Sequence, residues 1–232
     1  MRIWDIHPGY LNRQSLLGEH RELHGLVSVI VHHKKGYSRH PETLRWVGYG
    51  WALKMRHRQL VCEMNLRGYT DHSPVLTRSN QGEWPETYID PPVRQFELLT
   101  QKYLDKEPGR IPLPTIPAQL WSQHKYSVLA RDPNLYKAIG RGIAHKEMEF
   151  KELSLILTKA LQNRPDEGGI RNAVQHMWGY VSDKNEPGGS KSSAWSLKKL
   201  LRQTQLRAIE QERQYLMHST ALSDLMVWLP KR

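Results

Sequence analysis

A chain of 232 residues has room for one large domain or two small ones, each able to bury a core. Its 34 Lys+Arg against 23 Asp+Glu give +11, and the excess is shared, with 16 basic and 12 acidic residues over 1–112 and 18 and 11 over 113–232, a field that suits a polyanion, nucleic acid before a membrane surface. The lone Cys62 excludes an internal disulfide framework and zinc-finger spacing, no run approaches the ~18 apolar residues of a membrane span, and the start lacks the apolar stretch of a secretory signal, so a soluble cytoplasmic protein is expected.

Taken in order, the chain predicts helices throughout, and the expected class is all-α. Residues 1–8 read as an extended arm, because Pro8-Gly9 breaks any early helix. A first helix over about 12–33 carries Leu16, Leu23, Val27 and Ile30 on one side, widened by Leu26 and Val31. Glu22 stands roughly 120° from that stripe, with Gly18 and Gly25 as its neighbours at i−4 and i+3. Glycine inside a helix costs about 1 kcal/mol relative to Ala, and close approach by something bulky is one reason to carry two of them beside a carboxylate.

A second helix is expected over about 41–67, with Leu44, Val47, Trp51, Met55 and Met64 on its apolar side and Arg45, Lys54, Arg56 and Arg58 exposed. Residues 71–92 read as irregular loop, followed by a third helix to about 104 that includes Lys102. Four prolines between Lys106 and Pro117 predict a semi-rigid linker. The expected organisation is therefore a first domain over 1–107, a linker over 108–118 and a second helical domain over 119–232.

In that second domain a short helix starts near Trp121, and Asp132-Pro133 reads as an N-cap with Pro at the first helical position. Further helices are expected around 147–162, along the stripe Ile170, Val174, Met177, Val181, and as one basic helix over about 196–217 before a short closing segment to Trp228. Residues 183–193, rich in Gly and Ser, read as a flexible loop.

Glu19-His20-Arg21-Glu22-Leu23, preceded by Gln14 and Leu16 and by Arg2-Ile3, resembles the N-terminal segment of the phage endonuclease V-type pyrimidine-dimer DNA glycosylase/AP lyase family and aligns with it without a gap. The bacterial relatives share the opening Met1-Arg2-Ile3-Trp4, His7-Pro8, Tyr10-Leu11, and Gly36-Tyr37 followed by Arg39-His40-Pro41. The resemblance extends over about residues 1–105 and is clearest over 1–72. The second half resembles the YbgA-like domain of unknown function, through His124-Lys125-Tyr126, Tyr136-Lys137-Ala138-Ile139-Gly140 and the run from Asn172 to Tyr180. It is expected to serve as a DNA-binding accessory.

The first resemblance implies a DNA glycosylase with AP lyase activity acting on double-stranded DNA, with catalytic Met1 and Glu22. Such an enzyme needs an amine to form an imine with the sugar, and an α-amino group, at a typical ~7.7–8.0, is more readily neutral than a lysine at ~10.4. Arg2 is too bulky for the usual removal of an initiator methionine, so Met1 is expected to be retained. Arg2 and Arg21 match family arginines at the DNA, and Arg45, Lys54, Arg56 and Lys102 are the further cations expected to face it. Ser15 and Gly25 stand where the phage enzyme has His and Arg, which bears on the lesion rather than on the reaction. A pyrimidine dimer is the first expectation, and a bulky modified base of phage DNA, excised in anti-phage defence, is the alternative.

Two readings from other classes compete. A basic helical protein that binds nucleic acid without catalysis accounts for the charge alone. His20 and His24 have the i, i+4 spacing of metal ligands with Glu22 between them, but Glu22 turns about 200° from His20, so the three do not converge. No metal and no cofactor is expected.

Overall fold

Asn12 opens the first long helix by accepting the Ser15 N–H at 2.9 Å, an N-cap that leaves the preceding residues free to run extended. The computed structural model describes residues 1–182 and 194–229, and all regular structure among them is helical, as the all-α expectation requires. The predicted loop over 183–193 lies outside the described residues. The chain divides into two compact units, Met1–Gly109 and Arg110–Arg232.

The first unit contains the arm with a single 3-10 turn at Pro8–Tyr10, then α1 (Arg13–Val31), α2 (Pro41–Trp46), α3 (Gly50–Leu66) and α4 (Pro92–Lys102). Helix α1 packs on α3, and its Leu16, Leu23 and Leu26 are fully buried. The buried line continues through Glu19 rather than through Val27, Ile30 and Val31, of which Val31 is 48% exposed. Tyr10 seals the arm against Phe96 of α4, edge to face at 4.9 Å.

The single helix expected over 41–67 is two. Gly48 has φ +88°, a conformation that favours glycine, and it separates α2 from α3. Gly50 then lies so close to the 77–79 segment that a Cβ would collide with Ser79, whose Oγ accepts the Gly50 N–H at 2.9 Å. The break exposes Leu44 and Val47, which a continuous helix would bury, and turns Arg45 inward. Residues 71–92 are irregular and lead into α4, whose Gln95 is buried. Gly109 ends the unit packed on the backbone of Gly9 and Tyr10.

The second unit contains α5 (Pro117–Leu129), α6 (Pro133–Ala144), α7 (Phe150–Gln162), α8 (Glu167–Trp178), α9 (Leu197–Glu210), α10 (Gln214–Met217) and α11 (Ala221–Val227). Helix α5 is buried on most of its circumference and packs against α6, α7, α8 and α11. Asp132 caps α6 as the Asp-Pro pair predicts, accepting from Asn134 and Leu135. Arg131 joins the ends of α5, α7 and α11: its guanidinium meets both oxygens of the buried Asp224, at 2.7 and 3.0 Å, and the Leu161 and Asn163 carbonyls. The basic helix expected over 196–217 is interrupted at 211–213, where Glu212 takes a left-handed φ of +48°. Ahead of α5, Arg110 donates to the Met217 and Ser219 carbonyls, so the first residue of this unit is tied to its later helices.

Candidate functional site

The arm lies along α1 and is held by a ladder of backbone donors. Arg2 N–H donates to Glu22 Oε2 at 2.5 Å, and Trp4 N–H to Glu19 Oε1 at 3.2 Å. Asp5 and Ile6 N–H both donate to Gln95 Oε1, at 2.8 and 3.4 Å. Ile3 and Ile6, 1% exposed, fix the other side of the arm in the core. The Met1 α-amine is one peptide unit from the Arg2 nitrogen, which places it within roughly 6 Å of the Glu22 carboxylate by covalent geometry. Met1 is half-buried and Glu22 exposed, so the pair faces solvent with its backbone fixed.

The surface around Glu22 is bare. A Cβ built on Gly18 or on Gly25 meets no atom within 4 Å, so no packing inside the protein calls for glycine at either position. Arg21 is exposed beside them, with its Nε 3.4 Å from the Leu17 carbonyl. The Arg2 guanidinium pairs with Asp90 and lies 4.8 Å from the centroid of the Trp4 ring. Lys102 is exposed in the last turn of α4, and Lys54 is half-buried on α3.

Two cations expected at the surface are inside. Arg56 is 2% exposed and grips Glu19 with Nε to Oε1 at 2.7 Å and Nη2 to Oε2 at 3.0 Å, while Nη1 donates to the Ile6 carbonyl at 3.0 Å. Arg45 is 8% exposed, and both of its Nη atoms bond the Asp5 carboxylate. Burial pushes the Glu19 and Asp5 carboxyls above the ordinary range, against the pull of Arg56 and Arg45 respectively. Neither arginine is placed to touch DNA; both hold the arm. Glu19, Asp5 and Gln95, which hold the arm, are the residues that sequence reasoning missed. The one available signal was a Glu on the apolar stripe of α1 with arginines in the helix that packs against it.

His20 and His24 point away from Glu22, as their register on the helix predicts. They meet His57 of α3 and Asp71 instead, and the four side chains each offer a ligand atom within 4.8 Å of the others.

Comparison with known families places both halves. Residues 1–77 match the family described as pyrimidine dimer DNA glycosylase, and residues 125–218 match a family described as protein of unknown function (DUF1722). Both matches fall within the stretches singled out by resemblance, about 1–105 and 119–232, so the chain joins one segment similar to each family. No curated protein and no solved structure matches the sequence. Among the described residues, no helix is long and apolar enough to cross a membrane.

Proposed function

We propose that this protein is a DNA glycosylase with AP lyase activity, in which the Met1 α-amine is the nucleophile and Glu22 the catalytic carboxylate. The observation that carries the reading is the 2.5 Å hydrogen bond from Arg2 N–H to Glu22 Oε2, which ties the residue after the amine to the carboxylate that the sequence resemblance points to. In the reaction the neutral amine nitrogen attacks C1′ of the deoxyribose and the base leaves with the glycosidic electron pair. Loss of the ring oxygen's bond to C1′ gives the imine. Removal of a C2′ proton then expels the 3′-phosphate by β-elimination. Glu22 offsets the positive charge that develops on the sugar and takes up or returns protons during ring opening and elimination.

DNA carrying a pyrimidine dimer is the substrate the family description favours, and a duplex is the form in which it would be met. Exposed Arg21 and Lys102, and Arg2 if it exchanges Asp90 for a phosphate, supply the cations on this unit. The second unit, with 18 basic against 11 acidic residues over 113–232, adds sequence-independent attraction to the same polyanion. The test is borohydride reduction of the protein mixed with duplexes that are undamaged, abasic, dimer-containing or carry bulky phage-type modified bases. A covalent protein–DNA adduct on the abasic and dimer duplexes is expected. Binding without an adduct on any duplex would make the protein a non-catalytic binder.

A further inference from the structure

Four side chains between α1 and α3 have no part in the chemistry proposed above. His20 and His24 stand one turn apart on α1, His57 projects from α3, and Asp71 follows α3 in the chain. The three imidazole rings touch one another, with centroids 4.7, 4.9 and 5.1 Å apart. Asp71 stands between two of them: Oδ1 is 3.1 Å from His20 Nε2 and Oδ2 is 3.6 Å from His57 Nε2.

Packing three imidazoles together inside a protein is unfavourable unless something unites them. His57 is 5% exposed, and its Nε2 and the Nε2 of His24 are buried without a hydrogen-bond partner. Such orphaned polar atoms cost desolvation energy and call for an explanation, of which an ion is one. Burial pushes the imidazoles of His24 and His57 below their ordinary value. The Ser73 N–H donates to Asp71 Oδ1 at 3.1 Å and fixes the carboxylate toward the rings.

We propose that His20, His24, His57 and Asp71 form a closed, four-ligand site for a divalent transition metal, zinc by preference, that staples α1 to α3. Three imidazole nitrogens and one carboxylate oxygen are borderline donors suited to zinc, and four protein ligands complete its tetrahedral shell with no position left for substrate. Ligand atoms in such a shell lie ~3.3 Å from one another, so the four donors, all within 4.8 Å, need close by at most about 1.5 Å. The metal's role is structural. It fixes the rotation of α1 about its axis through the two histidines that flank Glu22 in sequence, on the side of the helix turned away from that carboxylate. This site does not depend on the reading of the reaction.

The experiment uses the full chain, stripped with a chelator and dialysed, then titrated with Co2+ and Zn2+. One Co2+ per chain with the visible bands of tetrahedral coordination, displaced by one equivalent of Zn2+, is expected, together with a rise in the thermal midpoint. Asp71→Asn and His24→Gln should lose both responses, whereas His32→Gln with His33→Gln, on the exposed end of α1, should keep them. Nitrogen-15 spectra of the wild-type histidine rings, with and without Zn2+, read the ligands directly and do not depend on how the variants fold. Shifts confined to His20, His24 and His57 support the site. Absence of stoichiometric binding, or shifts confined to other histidines, overturns it.

Discussion

Arg56 and Glu19 form a two-pronged ion pair beneath the N-terminal arm, with both side chains at most 2% exposed. Glu19 also accepts the Trp4 N–H and Arg56 donates to the Ile6 carbonyl, so one pair bonds α1, α3 and the arm together. Removing either partner strands the other charge away from water. Glu19→Ala is therefore expected to destabilise the first unit by about 3–5 kcal/mol, measured by urea unfolding. A change under about 1 kcal/mol would show that the arm is held mainly by Ile3 and Ile6.

Glu22→Gln removes a charge that lies at the surface and keeps the side chain's shape. Folding and DNA affinity should remain close to wild type, and base excision should fall by at least tenfold on whichever duplex the native protein cleaves. Excision within about twofold of wild type would remove Glu22 from the chemistry.

Gly18 tests whether its bare face is where DNA approaches. Gly18→Leu places a strong helix former in a helix interior where nothing obstructs a Cβ, so the thermal midpoint should rise, by the equivalent of up to about 1 kcal/mol. Cleavage should fall in the same variant because the side chain occupies the approach to Glu22. A variant that is both more stable and fully active would place the DNA elsewhere.

In the second unit, His124 is buried, its Nδ1 lies 2.9 Å from the Leu120 carbonyl, and burial pushes it down to about 4. The unfolded chain takes up this proton near the ordinary ~6.5, before the folded one does. The stability that depends on a neutral His124 is thus complete above about pH 6.5 and is lost as the pH falls toward 4. Proton NMR should show the His124 ring neutral at pH 5.5, and His124→Gln should flatten the decline of the thermal midpoint between pH 7 and 4.5. A ring that titrates near 6.5 would contradict the assignment.

Local signals in the sequence carried the helices and Glu22's flank. The α1 stripe, the Asp132-Pro133 cap and the glycines beside Glu22 are all set by residues within a turn or two of one another. What the sequence concealed depends on partners far along the chain. Arg56 reads as a surface cation until Glu19, 37 residues earlier, is placed against it, and Arg45 likewise until Asp5 is. His57 and Asp71 carry no spacing that ties them to His20 and His24. The break at Gly48 was hidden because Leu44 and Val47 fit a helical period; a left-handed glycine and the close approach of Ser79 override it.

The central claim is that the chain's first nitrogen becomes covalently bound to DNA. The measurement is borohydride trapping on an abasic duplex with three forms of the protein: an uncleaved N-terminal fusion, the same fusion cleaved to regenerate Met1 with nothing before it, and a form tagged only at the C-terminus. An amide nitrogen cannot form an imine, so the adduct should appear in the second and third forms and be absent from the first. Peptide mapping should place the sugar remnant on the Met1 nitrogen. Equal trapping by the uncleaved fusion, with the adduct mapped to an internal lysine, would contradict the account.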